Sequence, residues 1–274
     1  MDGHIDPTKV TGDGGTREAS PAKLDLVVRE GRGRLGGTTF LDLLIQRARE
    51  QGRRVKPLDG DLKSRTLSAL YPVTDANGVP VRDGAGTPPG DNILQLKEWI
   101  QSELNAMIED RVSRVLDLSG GDRVMQELVA DLKLTGFCRD FHIGLTNVVM
   151  FGPDLEDFHH AMDRIRSRDS RGERLIMVLN EGVIRVGQTP EGAFDGITSH
   201  PDFEATLEEG AEFMILPRLS CMQVLRERGI SFYDAALGRS GRSGSKVPPT
   251  VQHMTKVWLA SFEAAMNPMA EWLP

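Results

Sequence analysis

Residues 24 to 39 read Leu24-Asp25-Leu26-Val27-Val28-Arg29-Glu30-Gly31-Arg32-Gly33-Arg34-Leu35-Gly36-Gly37-Thr38-Thr39, an apolar run that feeds directly into a glycine-rich turn. The run has the character of a buried strand. From Thr38 onward, Phe40, Leu41, Leu44, Ile45 and Ala48 recur at helical spacing, and Gly52 supplies a stop signal. A strand, a glycine-rich turn and a helix start form a layout that can hold phosphate. Glycines let backbone N–H groups approach an anion closely, and the helix dipole favours negative charge at that end.

Outward from this stretch, strand and helix patterns alternate. Val55 to Leu58 is a short strand running into Asp59-Gly60-Asp61, although Pro57 weakens it as a strand. Residues 74 to 91 are turn-formers almost throughout and read as a long surface loop. Helical periodicity covers residues 92–108, 122–134 and 154–168. Strand character covers 112–118, 141–151, 175–179 and 213–216, while 190–210 is mixed and helical in its later half. Strands alternating with helices imply βαβ units, so the expected class is α/β, a mostly parallel sheet covered by helices on both faces. The expected organisation is a mobile tail over 1–22, one α/β domain over 23–237, a flexible linker over 238–247 and a C-terminal helix over 248–274. That last helix carries a stripe of Val251, Met254, Val257, Trp258, Phe262, Ala265 and Met266, for which core docking is the simplest use.

Composition narrows the function. The 274 residues hold 33 Lys and Arg against 40 Asp and Glu, a net charge of −7, which argues against a whole-molecule affinity for DNA or anionic lipid. A local basic patch at Arg239, Arg242 and Lys246 would give only weak, salt-sensitive DNA contact. Cys138 and Cys221 are far apart and form no CxxC, so neither a disulfide framework nor a zinc site is suggested. His159 and His160 are adjacent on a helix, face differently and make a poor metal pair. No apolar run approaches a membrane span and no signal pattern opens the chain, so a cytoplasmic protein is expected.

The order of these motifs resembles the deviant-Walker P-loop ATPases of the ParA and MinD type, over roughly residues 24 to 237. The family's loop reads Lys-Gly-Gly-Xaa-Gly-Lys-Ser/Thr-Thr. The matching residues here are Arg32, Gly33, Arg34, Leu35, Gly36, Gly37, Thr38 and Thr39, with both lysines replaced and Arg34 standing at the second glycine. Asp59-Gly60-Asp61 is similar to the family's Asp-Xaa-Asp, Val115-Leu116-Asp117 to its Walker B strand, and Val178-Leu179-Asn180 to the strand whose asparagine faces adenine. The resemblance implies a P-loop NTPase-like fold and ATP with Mg²⁺ as cofactors. Backbone N–H groups from Gly33 to Thr39 would wrap the phosphates, Thr38 would ligate Mg²⁺, and Asp117 would hold one of its waters. Asp59 or Asp61 would orient the attacking water, Arg32 would take the part of the lysine that crosses a homodimer interface, and Asn180 would read adenine.

Gly37 brings no cation to the charge that develops between β- and γ-phosphates, so hydrolysis suffers more than binding. Two functional classes stand side by side. One is a nucleotide-dependent switch acting in plasmid partition, conjugative transfer or positioning, with weak or absent hydrolysis. The other is a non-catalytic interaction protein that keeps the fold, its partner another protein. A small-molecule ligase or kinase on the same fold is a third class.

Overall fold

The computed structural model describes residues 23–118, 124–166, 174–241 and 244–274. The expected tail at 1–22, the start of the expected helix over 122–134, the end of the one over 154–168, and Arg242 of the basic patch therefore lie outside the described residues.

Six strands form a single sheet: β1 (Leu24–Glu30), β2 (Val55–Asp59), β3 (Ser113–Asp117), β4 (Ile143–Phe151), β5 (Arg174–Asn180) and β6 (Glu212–Leu216). Every pairing is parallel and the order is β2-β3-β1-β4-β5-β6. Parallel strands need crossovers. These are α1 (Gly37–Glu50), then α2 (Thr66–Leu70) with α3 (Ile93–Asp110), α4 (Val124–Leu132) with α5 (Leu134–Asp140), α6 (Leu155–Arg166), and α7 (Pro190–Thr198) with α8 (Pro201–Glu208). After β6 come α9 (Met222–Glu227), α10 (Phe232–Leu237) and α11 (Pro249–Met266). The expected α/β class, with helices on both faces, is the one found.

The side-chain period of two explains the layering. Leu24, Leu26 and Val28 of β1 pack in one cluster with α3, α4 and α5, while Val27 faces the opposite cluster with α1, α10 and α11. In β5, Ile176 and Val178 join the α1 side, whereas Met177 and Leu179 pack with α6 and α7. Pro57 fits because β2 is an edge strand, where a missing ladder donor is tolerated. The long loop returns to that edge: Gly86 N–H donates to the Pro57 carbonyl at 3.0 Å and Asp59 N–H to the Gly86 carbonyl at 2.8 Å.

Four short helices go beyond the sequence expectation, namely α2, α5, α9 and α10. None is long enough to be stable alone, so packing rather than periodicity sustains them. The segment 190–210 is helical in both halves, its two helices each opened by a proline and capped by Thr189 and His200.

Helix α11 lies on the core. Phe262 packs edge-on to Phe40 with ring centroids 6.3 Å apart, and Trp258 donates its indole N–H to the Pro217 carbonyl at 2.7 Å. No helix among the described residues is long and apolar enough to cross a membrane.

Candidate functional site

In a parallel sheet all strands end on one side. The order reverses around β1, whose chain leaves toward β2 while β3 and β4 flank it, and ligands of such sheets sit in that crevice. The segment from Glu30 to Gly37 fills it. Gly31, Arg34 and Gly36 adopt left-handed backbone with φ of 122°, 69° and 88°. Glycine does this freely, but Arg34 pays of order 1 kcal/mol, a cost that holds only where the surroundings enforce it.

The enforcement comes from Asn180. Its Nδ2 donates to the Leu35 carbonyl at 2.7 Å and its Oδ1 accepts from Gly182 N–H at 2.8 Å. A Cβ at Gly36 would overlap Asn180 Nδ2. Asn180 is thus buried against the loop as its clasp, and the amide that the resemblance assigns to adenine makes these two bonds instead.

Helix α1 begins without a capping side chain and with no acidic residue in its first turn. Its first intrahelical bond runs from Phe40 N–H to the Gly36 carbonyl, so the N–H groups of Gly37, Thr38 and Thr39 have no intrahelical acceptor. They look onto a cavity of about 720 Å³. Five cationic side chains line it, Arg29, Arg32, Arg34, Lys63 and Arg226, with Asp61 as the carboxylate. Arg226 also donates to Thr39 Oγ1 at 2.6 Å. Arg34, Gly36 and Thr39 are shared with a neighbouring cavity of about 360 Å³ reaching Val183, Leu216 and Trp258. Arg34 therefore stands exposed between two compartments and does not crowd the loop.

The other sequence-singled residues divide. Sheet register aligns Asp59 with Asp117 and Asp117 with Arg29, one row across three neighbouring strands. Asp117 Oδ1 accepts from Arg29 at 3.2 Å, and Oδ2 accepts from the Thr38 hydroxyl at 2.6 Å. Asp59 Oδ2 accepts from Ser68 N–H of α2 at 2.7 Å, and its Oδ1 is buried with no hydrogen-bond partner among the described residues. Asp61 closes its own turn through Lys63 and Ser64 N–H. Arg32 is half-exposed and pairs with Asp157 of α6 at 2.7 Å. Gly33 is exposed at the cavity rim.

A magnesium ion held as the resemblance implies needs the Thr38 hydroxyl and an Asp117 carboxylate open to its water. Here the Asp117 carboxylate is 2% exposed and its charge is already met by the buried Arg29 guanidinium at 3.2 Å. These residues do not fit Mg²⁺. No group of three or more His, Cys, Asp or Glu among the described residues could hold a metal. His159 lies with its Nε2 3.4 Å from His200 Nε2, not with His160.

Sequence reasoning passed over Arg29, Lys63 and Arg226. A charged residue inside an apolar strand was a usable signal for Arg29. Nothing local marks the other two, since the turn after β2 and helix α9 bring them to the loop from elsewhere in the chain.

Burial pushes the Asp59 carboxyl above the ordinary aspartate range, against the Ser68 hydrogen bond. A raised carboxyl contributes stability that is complete below its unfolded value of about 3.9 and is lost as pH rises through the folded value. Asp59→Asn has no such loss. In urea melts the variant should gain on wild type as pH rises from about 4 toward neutrality, and a difference independent of pH would refute the assignment.

No protein-family model matches the chain. No curated protein matches it either. Among solved structures it is similar to the MinD cell division protein of Aquifex aeolicus, at 15% identity over 86% of this chain and 97% of that one, with a TM-score of 0.48. It is also similar to a nucleotide-binding protein of Archaeoglobus fulgidus in complex with ADP, at 16% identity over 74% and 84% of the two chains, TM-score 0.36. FtsY of Mycoplasma mycoides matches at 13% identity over 72% and 62%, TM-score 0.43. The six-stranded parallel sheet, helices on both faces and glycine loop between β1 and α1 make this an α/β, P-loop NTPase-like fold.

Proposed function

We propose that this chain is a nucleotide-dependent switch of the ParA/MinD kind, binding a nucleoside triphosphate and hydrolysing it weakly or not at all. The observation that carries the reading is the cavity over the uncapped start of α1, where Arg34, Lys63 and Arg226 face Asp61 beside Arg29 and Arg32, which are already paired with Asp117 and Asp157. Such a surplus of positive charge suits a polyphosphate. The nucleoside would extend past Arg34 into the smaller cavity. Its base would be held by shape and by backbone groups, since the Asn180 amide clasps the loop.

Weak turnover follows from the carboxylates. Asp61 is held by its own turn, and Asp59 gives one oxygen to α2 while the other is buried, so neither is presented to an attacking water in the cavity as a free carboxylate. In a nucleotide-bound homodimer Arg32 would have to exchange Asp157 for the partner's phosphates. Partition, conjugative transfer or positioning are the processes such a switch would serve. The second reading, a non-catalytic interaction protein, is favoured by the closed contact of Arg29, Asp117 and Thr38.

Calorimetry with ATP, followed by phosphate release, separates the two. Binding with micromolar affinity and slow or undetectable release is expected. No heat of binding at millimolar ATP would sink the switch.

A further inference from the structure

A loop that cradles phosphate needs fixed positive charge beside the helix start, because backbone N–H groups supply only partial charges. At position 37, where the resemblance has a lysine, there is no side chain. The reason lies beneath it. Arg29 rises from the end of β1 with its guanidinium against Gly37, so that a Cβ there would stand 2.5 Å from Arg29 Cζ. Two side chains cannot share that volume. With the guanidinium held in this place by its hydrogen bonds, position 37 has room only for a glycine.

The side chain of Arg29 is 4% exposed, yet the residue lines the cavity. Its Nη1 donates to Asp117 Oδ1 and to the Leu118 carbonyl at 3.0 Å, and its Nη2 to the Arg32 carbonyl at 2.9 Å. Its Nε–H is buried with no hydrogen-bond partner among the described residues. A buried, unsatisfied donor on a fixed cation is costly, and this one lies directly under Gly37 at the floor of the loop.

Resting on the nucleotide-binding reading above, we propose that Arg29 is the cation of this phosphate site, delivered from the strand instead of the loop, and that it makes binding independent of Mg²⁺. The second half follows from the first. Arg29 and Thr38 hold Asp117 closed, so that carboxylate is not free to draw in a metal, and the polyphosphate meets the N–H donors of the guanidinium while the surplus charge comes from Arg34, Lys63 and Arg226. Arginine suits this place because its planar fork serves a carboxylate, two carbonyls and a phosphate together, which a lysine cannot.

The test is calorimetric titration of the full-length chain with ATP, in excess EDTA and again in millimolar Mg²⁺. Equal affinity within about twofold is expected in the two conditions, and a tenfold or greater dependence on Mg²⁺ overturns the proposal with no variant needed. Arg29→Met should bind ATP at least tenfold more weakly while Arg29→Lys retains part of the affinity. An Arg29→Met chain that folds and binds as wild type does also overturns it, leaving the switch reading intact. Absence of ATP binding by wild type in both conditions removes the switch reading and this inference with it. If Arg29→Met does not fold, the Mg²⁺ comparison and Arg29→Lys still decide.

Discussion

A chain ending at Pro248 is expected to lose its cooperative folding transition. Residues 249 to 274 place Val251, Trp258, Leu259, Phe262, Met266, Met269 and Leu273 in the core on the α1 side, each less than 9% exposed. Full burial of such a side chain contributes about 1.5–3 kcal/mol. Seven together are worth on the order of 10 kcal/mol, comparable to the whole stability of a typical domain, about 5–15 kcal/mol. Their removal would also bare Phe40 and the outer side of α1, an apolar surface prone to association. Phe262→Ala is the milder form, expected to cost about 3–5 kcal/mol through the cavity it leaves. Urea unfolding followed by circular dichroism reads both. A truncated chain with a wild-type midpoint would show that the helix is an appendage.

Asp117→Ala is expected to destabilise by about 3–5 kcal/mol, because it strands a buried guanidinium without its counter-ion. Asp117 is 2% exposed and Arg29 4% exposed, so water cannot take over the carboxylate's part. The Thr38 hydroxyl loses its acceptor in the same step. Arg32→Ala is the control. Its pair with Asp157 leaves the arginine side chain 47% exposed, so solvent screens it and its loss should leave the unfolding midpoint nearly unchanged. Equal losses in the two variants would mean that the Arg29–Asp117 pair is solvated.

The fold was legible because its signal is periodic. Apolar β1 and β5, the helix of Phe40, Leu44 and Ala48, and the turn residues between them report local geometry that each segment carries by itself. The short helices α2, α9 and α10 were not legible, because they exist by packing on other elements. The site divides in the same way. The glycines of the loop, Thr38, Asp117 and Asn180 stand out at strand ends in any reading of the chain. Their partners do not, since hydrogen bonds such as Asn180 to Leu35 and Thr38 to Asp117 join residues 145 and 79 positions apart.

What the amino-acid sequence by itself determined is the α/β architecture and the crevice at the end of β1, since alternation, glycine placement and helix periodicity are local properties. Only the tertiary structure decided what stands beside Gly37. Register sets Arg29 next to Asp117, and the guanidinium then fills the volume that a loop side chain would need. Which strand residue meets which loop residue is a matter of pairing between segments far apart in the chain, and no local pattern encodes it.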